Sequence, residues 1–263
     1  MNKAYSRLYR LAVAYFKEHT SRVKRLLYPD LLRTLAIVLM IAFHAAYDLA
    51  LYYGYDIPVF EGGWLLLGRT AALLFLVLAG VSAALSHDAG FSWSRIRRRI
   101  VRIAAGALIV SAVTFVIDPG TFVRFGILHL IACTSLYLAL TRKFGVWQTL
   151  VGIVLLVLGF AHLAFLSPLA STMDWIRIPL GFPPSDFISV DYYPLLPWAG
   201  AMIAGYGLAV PIMSKLRATP SVEESALWLR AASVPGRWSL AIYLVHQPVL
   251  LLVFWAMFGR LAG

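Results

Sequence analysis

Seven apolar runs divide the chain, at approximately 34 to 53, 64 to 86, 100 to 117, 125 to 141, 146 to 166, 194 to 213 and 238 to 258. Apolar runs of roughly 17 to 25 residues read as helices that cross a hydrocarbon core about 30 Å thick, given a rise of about 1.5 Å per residue. The pattern therefore predicts an all-α protein, a polytopic membrane bundle of about seven transmembrane helices. Two polar stretches stand outside it, a basic segment over 1–27 and a Pro- and Asp-containing loop from about 167 to 193. Residues 28–263 read as one membrane domain without internal repeats or low-complexity tracts.

Composition strengthens this picture. With 61% hydrophobic and 13% charged residues, a soluble fold is excluded. Lys and Arg gather on one side: Lys3, Arg7, Arg10, Lys17, Arg22, Lys24 and Arg25 before the first run, Arg95 to Arg102 before the third, Arg142 and Lys143, then Lys215, Arg217, Arg230 and Arg237. The opposite side holds little beyond Arg69, Arg124, Arg177 and Arg260. Positive loops face the cytoplasm, so the N-terminus is expected inside and the C-terminus outside. The net charge of +11 is then a record of topology and not a nucleic-acid footprint. Residues 4–16 set Leu8, Leu11, Ala12, Tyr15 and Phe16 against Lys3, Arg7 and Arg10, which predicts an amphipathic helix in the cytoplasmic interface rather than a cleaved signal peptide. The single Cys133 excludes a disulfide framework, and no metal site is expected.

Ionisable side chains inside a span cost a few kcal/mol on insertion scales, so each needs a partner, water or a task. The first span has most of them. Arg33 and His44 are eleven residues apart, nearly three turns, and so share a face at a separation of roughly 16 Å. Asp48 lies one turn beyond His44, where a carboxylate can hold the imidazole's other nitrogen, as a general base requires. An inter-helix hydrogen-bond pair is the plainer reading of the same spacing. Asp30 and Arg33 read equally well as an interfacial salt bridge. Toward the other side, Arg69 begins the second span and Arg124 and His129 open the fourth; the two arginines either bind an anionic or hydroxyl-rich substrate or snorkel to headgroups. In the seventh run Ser239, Tyr243 and His246 share a face beside Gln247, as a polar site or a structural seam. His162, and His87 with Asp88, read as solvated interfacial residues.

The motif Asp-Leu-Leu-Arg-Thr-Leu-Ala-Ile-Val-Leu-Met-Ile-Ala-Phe-His over 30–44, with ten residues between Arg33 and His44, resembles the first span of the transmembrane acyltransferase superfamily. Phe-Leu-Val-Leu-Ala-Gly-Val-Ser from 75, Arg-Phe-Gly-Ile-Leu-His from 124, Tyr-Tyr-Pro-Leu-Leu-Pro-Trp from 192 and the stretch from Gly236 through His246 and Gln247 to Pro248 extend the likeness over nearly all of 28–258. Together they resemble bacterial proteins classed with the heparan-α-glucosaminide N-acetyltransferase catalytic domain.

The resemblance implies an acyltransferase in a bacterial inner membrane that moves an acyl group, acetyl first among them, from cytoplasmic acyl-CoA to a hydroxyl or amine of an extracytoplasmic sugar or glycan. It implies Arg33 near the CoA entrance and His44 as the catalytic histidine. The animal lysosomal enzymes place their histidine after the first span and carry a luminal domain and further spans, so the heparan substrate does not carry over. An extended pantetheine arm matches the approximately 16 Å between Arg33 and His44. The CoA phosphates are then expected among Arg33, Arg97, Arg98 and Arg99, with Asp48 orienting His44 and with Arg69, Arg124, His129, His246 or Gln247 meeting the acceptor or the oxyanion. A transporter or flippase relaying protons through His and Asp, a bis-histidine haem protein and a structural subunit are the other classes open to the sequence, and a homo-oligomer is compatible with each.

Overall fold

The structure is a computed structural model that describes residues 25–165 and 174–259, with side chains for all of these except 162–165. The amphipathic segment 4–16, the basic residues before Arg25, the His162 side chain and Arg260 lie outside the described residues. Regular structure is helical throughout the described residues: α1 (Leu27–Tyr53), α2 (Gly62–Asp88), α3 (Trp93–Ile117), α4 (Ile127–Leu140), α5 (Gln148–Phe165), α6 (Asp174–Leu180), α7 (Leu195–Ala209), α8 (Met213–Arg217), α9 (Leu227–Arg237) and α10 (Ser239–Phe258). Among the described residues, six spans are long and apolar enough to cross a membrane: α1, α2, α3, α5 with the 3-10 turn before it, α7 continued through α8, and α10.

The fourth apolar run behaves differently. Helix α4 has 14 residues, about 21 Å of rise, which falls short of the hydrocarbon core. Its approach is an extended segment over 121–126, made possible because neighbouring chain satisfies its backbone. The Val190 N–H donates to the Thr121 carbonyl at 2.9 Å and the Tyr193 N–H to the Phe125 carbonyl at 3.1 Å. The Ser111 hydroxyl donates to the Val123 carbonyl at 2.6 Å, and the Val123 N–H donates to Thr114 Oγ1 at 3.0 Å. Non-helical backbone is tolerated at membrane depth only where protein supplies such partners. The turn before it is set by Asp118, whose carboxylate accepts from the Thr121 hydroxyl and the Gly120 N–H, bonds that hold it below the usual carboxylate range.

Helix α7 is the centre of the bundle, with Met202 fully buried and α2 and α5 on either side. Small residues allow the approach: a side-chain carbon on Gly205 would stand 2.5 Å from the Val77 carbonyl oxygen, and one on Gly200 2.5 Å from that of Gly152. Without a hydrophobic drive between helices in lipid, such backbone proximity is what dispersion needs. Helix α1 begins with Pro29 in its first turn and stops at Gly54, whose φ of 70° suits a residue without a side chain. Across its start lies α9, its Gly236 N–H donating to Thr34 Oγ1 at 3.0 Å. Exposed Leu227 and Trp228, with Trp238 just after the helix, alongside Arg230 and Arg237 give α9 the make-up of a helix lying in an interface, an element that the apolar runs do not reveal.

Candidate active site

A cavity of about 690 Å³ runs between α1, α2, α3, α4 and α10 and under the segment 189–193. Its near end, where α1 and α3 begin, is lined by Arg33, Ser82, Arg99 and Arg102, and its far end, where α2 begins, by Phe60, Arg69 and Asp191. His44 lines it between them.

At the near end Asp30, 2% exposed, accepts from Arg33 at 2.7 Å and from Arg25 at 2.5 Å. Arg33 also donates to the Ser82 hydroxyl, which in turn donates to the Leu78 carbonyl at 2.5 Å. The Asp30–Arg33 pair is thus a salt bridge that also presents Arg33 to the cavity. Arg99 and Arg102 have no carboxylate partner among the described residues. One turn of α3 separates them and both line the cavity, while Arg97 and Arg98 are exposed and do not line it, with Arg98 donating to the Ser94 carbonyl and Arg102, itself partly in solvent, to the Arg98 carbonyl. Of the four arginines expected near the CoA phosphates, Arg33 and Arg99 line the cavity, joined there by Arg102, while Arg97 and Arg98 do not, because helical periodicity turns consecutive residues to different faces.

His44 is not oriented by Asp48. Its Nδ1 donates to the Met40 carbonyl at 2.8 Å, which in the neutral ring leaves Nε2 as the basic nitrogen. Asp48, fully buried, instead accepts from the Gln247 amide at 2.5 Å. The physical reason is direction: helical side chains lean toward the N-terminus, so the imidazole reaches back to the preceding turn and finds a carbonyl there. Gln247 is accordingly committed to Asp48 and not offered to a substrate. His246, 8% exposed, backs His44 with ring centroids 4.8 Å apart. Its Nδ1 donates to the Tyr243 carbonyl at 2.7 Å, and its Nε2 has no partner among the described residues. Ser239 and Tyr243 line the cavity on the same helix, whereas His246 stands behind its wall.

The far end sorts the remaining candidates. Arg69 lines the cavity and has no carboxylate partner among the described residues. Arg124 is outside it, with its guanidinium 4.9 Å from the Phe122 ring and 5.1 Å from that of Phe187, a cation–π clamp in place of a substrate contact. His129 is also outside it: the Gly126 N–H donates to its Nδ1 at 3.2 Å, so the ring caps the start of α4. His87, expected in solvent, lies against Tyr206 at 3.2 Å and the Phe91 ring, while Asp88 pairs with Arg217 at 2.5 Å.

Asp191 is the residue that the sequence pattern conceals. It is the one acid among the lining residues, placed just before the Tyr-Tyr-Pro stretch in a loop where a solvated aspartate is unremarkable. Burial pushes its carboxyl up to about 6 against the opposing effect of hydrogen bonds from Tyr243 at 2.9 Å and from the Ile127 N–H at 3.3 Å. Tyr193 and Trp198, with ring centroids 5.0 Å apart, form an aromatic wall of the same cavity.

Among the described residues, six membrane-length helices and a charged internal cavity define an integral membrane protein. The chain belongs to the family described as heparan-alpha-glucosaminide N-acetyltransferase, catalytic, which it matches over residues 25–248. Its class is therefore that of a transmembrane acetyltransferase. No curated protein and no solved structure matches it.

Proposed function

We propose that this protein takes an acyl group, acetyl in the first instance, from cytoplasmic acyl-CoA and delivers it to a hydroxyl or amine of an extracytoplasmic sugar or glycan. The observation that carries the reading is a single cavity with arginines lacking carboxylate partners at one end, a histidine with its basic nitrogen uncommitted along it, and a carboxylate with aromatic rings at the other. Phosphates of CoA pair with Arg99, Arg102 and the outward edge of Arg33, for which charge-assisted bonds are strongest. The roughly 16 Å between Arg33 and His44 then suits the pantetheine arm, which brings the thioester alongside the imidazole.

In the reaction His44 Nε2 takes the proton of the acceptor hydroxyl or amine as that oxygen or nitrogen attacks the thioester carbonyl. The new C–O or C–N bond forms, the C–S bond breaks, and the proton passes from His44 to the departing thiolate, giving free CoA. Arg69, the far-end cation that lines the cavity, stabilises the oxyanion. Asp48 serves this site at one remove, holding α10 to α1 through Gln247. The distribution of Lys and Arg supports a cytoplasmic N-terminus and an extracytoplasmic C-terminus, and a bacterial plasma membrane is the setting that goes with this reading.

A cavity lined from near one end of α1 to the opposite end of the bundle also suits a carrier of an anionic solute, and turnover separates the two. Purified protein is incubated with radiolabelled acetyl-CoA, with and without amino sugars. Release of CoA with transfer of label supports acyl transfer; solute movement in proteoliposomes without consumption of acetyl-CoA supports the carrier.

A further inference from the structure

Asp191 holds one carboxylate oxygen in place and leaves the other open. Its Oδ2 accepts both the Tyr243 hydroxyl at 2.9 Å and the Ile127 N–H at 3.3 Å, which occupies the two lone-pair directions of that atom. Oδ1 has no hydrogen-bond partner among the described residues and is not sealed off, in a residue that lines the cavity. The backbone around it is equally fixed. Ser189 donates its hydroxyl to the Asp191 carbonyl at 3.1 Å and to the Phe122 carbonyl at 3.0 Å, and Tyr193 is tied to Phe125. Three elements distant in sequence, the extended segment with α4, the loop before α7, and α10, thus converge to aim a single carboxylate.

A carboxylate oxygen only accepts, so the group that fits Oδ1 must donate, as a hydroxyl or an amine does. The neighbouring Tyr193 and Trp198 rings supply the apolar surface against which the C–H face of a pyranose rests. Arg69 lines the cavity at this end too, so an acid and a base are both offered to a polar ligand here. Resting on acyl transfer as the reaction, we infer that Asp191 is the acceptor-binding residue: its Oδ1 accepts a hydrogen bond from a hydroxyl or amine of the acceptor and so aligns the nucleophile toward His44. Tyr243 is its positioning residue, since it fixes the other oxygen.

Two measurements on the full-length protein in detergent test this. Binding of glucosamine and glucose is followed by tryptophan fluorescence without acyl-CoA, and steady-state transfer from acetyl-CoA is measured beside it. Asp191→Ala is expected to weaken sugar binding and raise the acceptor KM by about tenfold or more, as loss of a charge-assisted hydrogen bond does, while the KM for acetyl-CoA changes by less than about twofold. Tyr243→Phe is expected to give a smaller rise in acceptor KM and to move its pH dependence upward, because the carboxylate loses a donor. Wild-type protein that binds neither sugar, or Asp191→Ala with unaltered sugar binding and acceptor KM, overturns the inference. Sugar binding that depends on Asp191 in a protein that never consumes acetyl-CoA upholds the site and overturns the acyltransfer reading instead.

Discussion

The imidazoles of His44 and His246 meet edge to face with centroids 4.8 Å apart, each with Nδ1 bonded to a carbonyl of its own helix. Both rings therefore hold the same tautomer when neutral, and the buried His246 fixes where His44 can stand. Removing it leaves a space behind the reacting ring. His246→Ala is expected to lower kcat by about ten- to a hundredfold, the range for a misplaced catalytic group, with little change in the KM for acetyl-CoA. His246→Phe, which restores a ring, is expected to recover part of that loss. Steady-state kinetics of the two variants check this.

Arg99 and Arg102 face the cavity without carboxylate partners, so each has its charge available to a phosphate. Arg99→Ala and Arg102→Ala are each expected to raise the KM for acetyl-CoA by about tenfold, equivalent to about 1.4 kcal/mol. Arg97→Ala and Arg98→Ala, which do not line the cavity, are expected to change it less. Acetyl-pantetheine, which lacks the nucleotide phosphates, should be insensitive to all four substitutions.

The Asp48–Gln247 bond joins α1 to α10 in a fully buried position. Asp48→Ala leaves the Gln247 amide without its partner and is expected to cost about 1–3 kcal/mol of stability. Gln247→Ala on that background should cost less than it does alone, as a double-mutant cycle in thermal unfolding would register. Asp48→Asn is expected to keep most of the activity, whereas a carboxylate that oriented His44 directly would be indispensable.

Folding raises the Asp191 carboxyl from its ordinary 3.8 to about 6, burial outweighing the bonds from Tyr243 and Ile127. The protonated form is thus favoured in the folded protein. Its contribution to stability is fully present below the unfolded value and is lost as pH rises through about 6. Asp191→Asn, which does not ionise, is expected to gain thermal stability relative to the wild type as pH rises through that window. Acceptor binding runs the opposite way, strengthening as Oδ1 becomes charged, with Tyr243, Tyr193 and Arg69 as the neighbouring groups that tune it. Thermal unfolding and acceptor KM across this pH range check the two directions.

Much of the bundle is legible in hydropathy because crossing a membrane demands length and apolarity together. The fourth run shows where that reasoning ends. Phe122, Val123 and Phe125 are as apolar as a helix would be, yet they are extended, because their hydrogen-bond partners are Ser189, Ser111 with Thr114, and Tyr193 respectively, which no local pattern reveals. In the site, Arg33 and His44 are legible because helical periodicity alone places them on one face. Asp48 shares that face but pairs across to α10, a choice made by a side chain that spacing does not constrain. Arg124 and His129 lie close to the expected place in sequence and are absorbed by local tasks, a clamp between two rings and a helix cap. Asp191 escapes notice because its value comes from three segments that meet only in the folded chain.

In the proposed reaction His44 Nε2 is the base for transfer. The most direct measurement of this role is the single-turnover rate of acyl transfer from bound acetyl-CoA in His44→Ala, with acetyl-CoA affinity determined on the same sample. The rate is expected to fall by about a hundred- to ten-thousandfold, the range for a lost general base, with affinity retained. A His44→Ala protein that binds acetyl-CoA and transfers its acyl group at a rate near the wild type would contradict it.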